Sequence, residues 1–244
     1  DVVTGFAGVI TGQGMLVKDG TSTQILSGAS TFEGLTDVTS GTLTIASESA
    51  LGSTSSPASL TTVLGGARLA FQDDITTGER IILYNNAELA NNSGTNTLSN
   101  LLLVEHDING PHAGQKYAQI GALEGQLNLA GGIDDFAGRF SSNPEMNLAL
   151  NAGENDNGVL HINSVIGTSI RDIALGRASS SEASTGTVIL GGNNQLSGAT
   201  YLNGGPIQLG LDGGNSRAFG DSAVNVNNTN FCILYTSPSP RDKR

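Results

Sequence analysis

Apolar residues in this chain come in short runs of strand length, each closed by glycine or asparagine turn signals, and no stretch of helical length carries a period near 3.6. Examples are Met15–Lys18, Thr23–Leu26, Gly41–Ile45, Ala67–Phe71, Ile81–Tyr84, Glu124–Leu129, Val159–Ile162, Thr187–Leu190 and Pro206–Leu209. In Thr42–Ile45 the leucine and isoleucine fall on one side and the hydroxyls on the other, the period of a strand. Asn109-Gly110, Asn157-Gly158, Asn203-Gly204, Gly65-Gly66 and Gly131-Gly132 mark turns between runs. A helical bundle is excluded by the same text, because Gly, Ser, Thr and Asn supply 103 of the 244 residues and all are poor in helix interiors.

The second constraint is an internal echo. Residues 24–45 align without gaps to residues 188–209, with Ile25/Ile189, Leu26/Leu190, Gly28/Gly192, Gly34/Gly198, Thr36/Thr200 and Gly41/Gly205 shared. Glycines that keep their spacing mark places where the backbone path is dictated. The offset from Ile25 to Ile189 is too long for a propeller blade and spans many coils of a solenoid. The expected fold is therefore all-β: a parallel β-helix forming a single elongated domain over residues 1–230. Coils of about 20 residues, with two or three strands each, would stack about 4.8 Å apart into on the order of 11 coils and about 50 Å of rod. Val, Ile, Leu, Ala and Thr are expected inside, Thr, Ser, Asn and Gln outside, and turn asparagines in hydrogen-bonded ladders. An antiparallel sandwich, with longer strands, is the competing architecture.

Residues 6–53 resemble the autotransporter-associated β-strand repeat. The resemblance rests on Phe6, Gly8, Ile10, Gly12, Gly14, Leu16, Lys18 and Gly20, then Leu26, Ser27, Gly28, Phe32, Gly34, Thr36, Val38, Gly41, Thr42 and Leu43, then Ala50-Leu51-Gly52. It implies a right-handed parallel β-helix in the secreted, outer-membrane-associated passenger of a Gram-negative type V autotransporter or similar surface protein, and it does not imply an active site. It further implies a membrane-barrel translocator in a C-terminal part beyond this chain, and contact with a host-cell or glycan surface through regions outside it. Residues 231–244, FCILYTSPSPRDKR, break from the preceding composition; LYTSPSPRD resembles translated sequencing-adapter read-through from environmental assemblies, so this stretch is expected to be non-native and disordered.

A net charge of −11 repels phosphate backbones and excludes a nucleic-acid partner. The longest strictly apolar run is Phe231–Tyr235, far short of a membrane span, so no direct membrane insertion of this segment is expected. Cys232 is the only cysteine, which rules out a disulfide framework.

No catalytic, cofactor-binding or metal-ligating residue is assigned, and no cofactor. Asp73-Asp74 and Asp134-Asp135 are adjacent pairs whose members would point to opposite faces of a strand, so neither pair can share a substrate proton. Glu154, Asn155, Asp156 and Asn157 form an oxygen-rich turn without EF-hand spacing. Glu105, His106, Asp107 and His112 cluster in an expected surface loop without zinc spacing, and His161 stands alone in a strand. The chain is expected to be a structural stalk rather than an enzyme, presenting an adhesive or other functional region away from the cell. The alternative is a β-helical module that binds or degrades polysaccharide; the absence of Trp weighs against aromatic sugar platforms.

Overall fold

The computed structural model describes residues 2–55, 59–105, 117–135, 146–151, 156–168, 170–176, 186–196, 198–209, 218–226 and 231–235. Among them every regular element is a strand and every strand pair is parallel, arranged as three long sheets around one core. The chain forms a parallel β-helix.

The first sheet stacks β1 (Val3–Phe6), β3 (Thr23–Leu26), β5 (Thr42–Ile45), β7 (Arg68–Phe71), β10 (Glu88–Asn91), β13 (Tyr117–Ala122), β16 (Met146–Leu150), β18 (Ile170–Leu175), β20 (Ala199–Leu202) and β22 (Ala223–Val226). The second stacks β2 (Leu16–Lys18), β4 (Thr36–Val38), β6 (Thr61–Val63), β9 (Ile81–Tyr84), β12 (Leu102–Glu105) and β15 (Ile133–Asp135). The third stacks β8 (Thr76–Thr77), β11 (Thr95–Leu98), β14 (Gln126–Leu129), β17 (Val159–Ile162), β19 (Thr187–Leu190), β21 (Gly205–Leu209) and β23 (Phe231–Tyr235). The chain visits them in the order first, third, second, as β7, β8, β9 and β10 show. In the lowest coils the third side has no strand, yet its backbone is still stacked: Thr31 N–H donates to Ile10 O, Glu33 N–H to Gly12 O and Ser53 N–H to Phe32 O, each at 2.9 Å.

Period-two alternation turns every second residue of a strand inward, so apolar side chains stack in rows along the core. On the first sheet, Leu43, Leu69, Leu89, Ile120, Leu150, Leu175 and Leu202 lie directly above one another and are all buried. This row runs through consecutive coils without a gap. Within such a stack each apolar side chain is desolvated by the coils above and below it, so every added coil extends one continuous core.

Most coils are larger than the sequence led us to expect. Val3 stacks on Thr23 and Thr23 on Thr42, steps of 20 and 19, but Glu88 stacks on Gln119 and Tyr117 on Asn147, steps of 31 and 30. The longer steps carry long connections from the second sheet back to the first. Ten strands in the first sheet give nine intervals and a rod of about 43 Å at ~4.8 Å per coil. The outer surface also departs from expectation on the second sheet. Val17 points outward, and Leu35, Leu64, Leu101 and Val165 at the strand ends are exposed, where hydroxyl and amide residues were expected.

The echoed segments share a path but not a position. In residues 24–45 the strands β3, β4 and β5 lie on the first, second and first sheets. In residues 188–209 the strands β19, β20 and β21 lie on the third, first and third. Both copies run strand, strandless side, strand, tight turn, strand; the second is advanced by one face of the three-sided helix.

Candidate functional site

The polar groups that sequence reading singled out serve mainly to join coils. Asp73 and Asp74 adopt positive φ of 70° and 60° at the corner between β7 and β8. Asp74 Oδ1 accepts the Thr95 N–H of the next coil at 2.6 Å, and Asp73 Oδ2 accepts Gln72 Nε2 at 3.1 Å. Asp134 and Asp135 lie on the second sheet, on a different side of the rod, so the two pairs do not assemble. Asp156 is buried against Gly121 of the coil beneath, where a Cβ would meet its carboxylate at 2.5 Å. The Asn157 N–H donates to Leu123 O at 3.0 Å. Glu105 is buried at the end of β12. His161 occupies the outward row of the third sheet between Asn128 and Ile189. His106, Asp107, His112, Glu154 and Asn155 lie outside the described residues. Among the described residues no group of three or more His, Cys, Asp or Glu gathers as a metal site, and no helix is long and apolar enough to cross a membrane.

The strongest polar chemistry is at the corners, on residues that the sequence did not distinguish. Asn151 is fully buried; its Oδ1 accepts Ala122 N–H of the coil beneath at 2.9 Å, and its Nδ2 donates to Thr187 O of the coil above at 3.1 Å. Asn194 repeats the arrangement, accepting from Ile166 N–H at 2.9 Å and donating to Ala218 O at 2.7 Å. Asn96 accepts Ile75 N–H at 2.8 Å and donates to Asn91, which in turn donates to Glu124 O at 2.7 Å. The expected asparagine ladders are thus mostly single amides clamped between backbone groups of successive coils. Buried backbone groups at a corner fall outside the strand ladders and need such partners.

Glu79 is buried in the corner before β9, with Oε1 accepting Thr61 Oγ1–H at 2.9 Å. Burial pushes its carboxyl up to about 7, opposed by the Thr61 hydrogen bond and the nearby Arg80 charge. The folded state therefore keeps this proton to higher pH than the unfolded chain. Stability is expected to fall as pH rises from about 4.5 to about 7, by up to about 3 kcal/mol from this group. Urea unfolding at pH 5 and pH 8 checks this: the difference should shrink in Glu79→Gln, and an unchanged difference would remove Glu79 as its source.

Where the third sheet begins, the coils leave an open groove of about 620 Å³. Its walls come from residues 29–33 of one coil, 48–54 of the next, and Thr76 and Gly78 at β8. Glu33 and Glu48 supply carboxylates and Ser30, Thr31, Ser49, Ser53 and Thr54 supply hydroxyls, so the lining offers hydrogen-bonding groups beside apolar surface.

Two segments of the chain, residues 16–45 and 183–209, match the model of the passenger-associated-transport-repeat family. They cover the same two stretches whose strands are related by the one-face advance. No curated protein and no solved structure matches the chain.

Proposed function

We propose, from the two passenger-associated-transport-repeat copies this chain carries, that it is a non-catalytic stalk segment of an autotransporter-type passenger. The repeat supports a secreted or surface-exposed location for the chain. The observation that carries the stalk reading is the unbroken inner row from Leu43 to Leu202, which binds successive coils into one rod. A rod of this construction sets a distance. Each coil adds about 4.8 Å, and corner amides such as Asn151 and Asn194 lock consecutive coils together. In this reading the outer-membrane association, the barrel translocator and the adhesive contact belong to other parts of the passenger.

The groove at Glu33 and Glu48 favours a second reading, a polysaccharide-binding or polysaccharide-degrading module, because hydroxyl and carboxylate linings pair with sugar hydroxyls. One experiment separates the two. The purified chain is incubated with a panel of acidic and neutral polysaccharides, and both reducing-sugar release and retention on the polymer are measured. Neither is expected. Release or retention lost in the Glu33→Gln/Glu48→Gln double variant would replace the stalk with the second reading.

A further inference from the structure

The third sheet has an edge in the middle of the rod. Its end strand is β8, which pairs upward with β11 and has no strand beneath it among the described residues. The groove bounded by Glu33, Glu48 and Thr54 runs along that edge, with Thr76 and Gly78 in its wall. Above the edge, strand is paired on strand. Below it, the strandless sides of the lower coils stack on one another, with Ser53 N–H donating to Phe32 O and Glu33 N–H to Gly12 O. The groove occupies the step between these two arrangements.

The hydrogen bonds of β8 show which backbone groups face that step. Ile75 O accepts Thr97 N–H at 2.8 Å, and Thr77 O accepts Ser99 N–H at 2.9 Å, both from the coil above. Ile75 N–H also points upward, donating to Asn96 Oδ1 at 2.8 Å. In a strand the N–H and C=O of one residue point to one side and those of the next residue to the other. Thr76 therefore turns its N–H and C=O downward, toward the groove, and it is exposed there. A donor and an acceptor presented together on a sheet edge are what an added strand pairs with.

The lining fixes the charge of a fitting partner. Glu33 and Glu48 are exposed, and among the described residues no cation pairs with either. Arg68 faces Glu88 on the first sheet, and the Lys18 ammonium is held by backbone carbonyls. The chain as a whole carries a net charge of −11, which attracts a basic partner to the rod before contact.

We propose that this groove is a docking slot for an extended, lysine- or arginine-bearing peptide segment of another protein. The segment adds a strand beneath β8, pairs with the N–H and C=O of Thr76, and sets its cations against Glu33 and Glu48. A sugar would satisfy the hydroxyls and carboxylates but would leave the strand edge without a backbone partner. The edge from Ile75 to Gly78 is short, about 13 Å at ~3.3 Å per residue, so the contact is weak and reversible. The slot is made by three neighbouring coils and stands whether or not the rod acts as a stalk.

The probe is a fluorescein-labelled peptide of about eight residues, alternating lysine and threonine, added to the full chain at about 50 mM salt and followed by anisotropy. Saturable binding is expected, with Kd on the order of 100 μM. The same peptide N-methylated at its central amides keeps the charge but loses donors, and should bind at least about fivefold more weakly. Glu33→Gln/Glu48→Gln should weaken binding of the unmethylated peptide about tenfold. Thr76→Pro removes the downward N–H at a place where an edge strand tolerates proline, and should weaken binding about fivefold with Tm unchanged. The methylated peptide tests the same bond on the unaltered chain if that variant does not fold. Absence of saturable binding overturns the proposal. Equal affinity for the methylated peptide also overturns it, since charge alone would then account for the contact, as does binding unmoved by Glu33→Gln/Glu48→Gln. Retention of a polysaccharide, lost in that double variant and without peptide binding, would assign the groove to a sugar instead.

Discussion

Replacing Asn151 with alanine is expected to destabilise the protein by about 3–5 kcal/mol, among the largest single-residue losses available to it. The side chain makes three hydrogen bonds inside the rod: from Ala122 N–H at 2.9 Å, to Thr187 O at 3.1 Å and to Gly158 O at 3.3 Å. Ala122 belongs to the coil below and Thr187 to the coil above, while Gly158 lies across the corner of its own coil. Removing the amide leaves buried backbone groups unpaired, and each costs about 1–3 kcal/mol. The backbone adds a further demand. Asn151 holds φ at 46°, in the left-handed region where asparagine is among the few side chains that settle readily and alanine does not. Aspartate is no remedy, since it keeps the acceptor but loses both donated bonds and buries a charge. On the outer face, Asn128→Ala is expected to cost less than about 1 kcal/mol, because its bonds to Gln126 and Thr97 are half-exposed and water replaces them. Chemical denaturation of the two variants checks the contrast; equal losses would mean that Asn151 does not hold coils together.

Asn151 also marks where sequence reading stops. Strands were legible because their signal is local: Thr23–Leu26, Ile81–Tyr84, Val159–Ile162 and Thr187–Leu190 lie where the alternation puts them, and Arg68–Phe71 and Thr42–Ile45 differ by one residue at the start. The repeat glycines were legible for the same reason. A corner asparagine carries no such mark. Asn128 and Asn151 have the same chemistry, and only the turn that follows β16 directs the second amide inward. The groove at Glu33 and Glu48 was hidden because it depends on where the third sheet begins, a property of several coils together rather than of any run of residues. Nor could the offset between the two echoed segments disclose that the second copy sits one face further round. The repeat encodes a path of strand, strandless side, strand, turn and strand. The face on which it starts is set by the summed lengths of all the coils between.

That local path gives the second large expectation: Gly41→Ala should cost about 4–6 kcal/mol, whereas Gly20→Ala, at the same corner one coil down, should cost only about 1–2 kcal/mol. Both glycines have left-handed φ, 65° and 80°, so both substitutions meet the same backbone penalty. They differ in what lies beneath. Gly20 has open space around its would-be Cβ. Gly41 sits over the lower turn, where a Cβ would strike the Gly20 carbonyl and approach Ser22 O at 2.7 Å and Lys18 Nζ at 2.8 Å. Lys18 is buried there with its ammonium donating to Gly20 O at 2.7 Å, Ser40 O at 3.0 Å and Asp19 O at 3.1 Å, so it clamps the turns of two successive coils. Asp19 completes the clamp: its Oδ1 accepts Ser40 Oγ–H and Gly20 N–H at 2.8 Å and Thr39 Oγ1–H at 3.2 Å. These bonds, Ser40's foremost, hold its carboxyl below the usual aspartate range. The stabilisation is therefore present above the ordinary aspartate value and is lost as pH falls through the lowered one, opposite in sign to that of Glu79. A methyl group on Gly41 displaces the ammonium from three carbonyls at once, and the cost of those desolvated acceptors is what separates the two variants. Denaturation midpoints of Gly41→Ala and Gly20→Ala decide the matter. Equal midpoints would show that the corner is held by backbone conformation alone and that Lys18 clamps nothing.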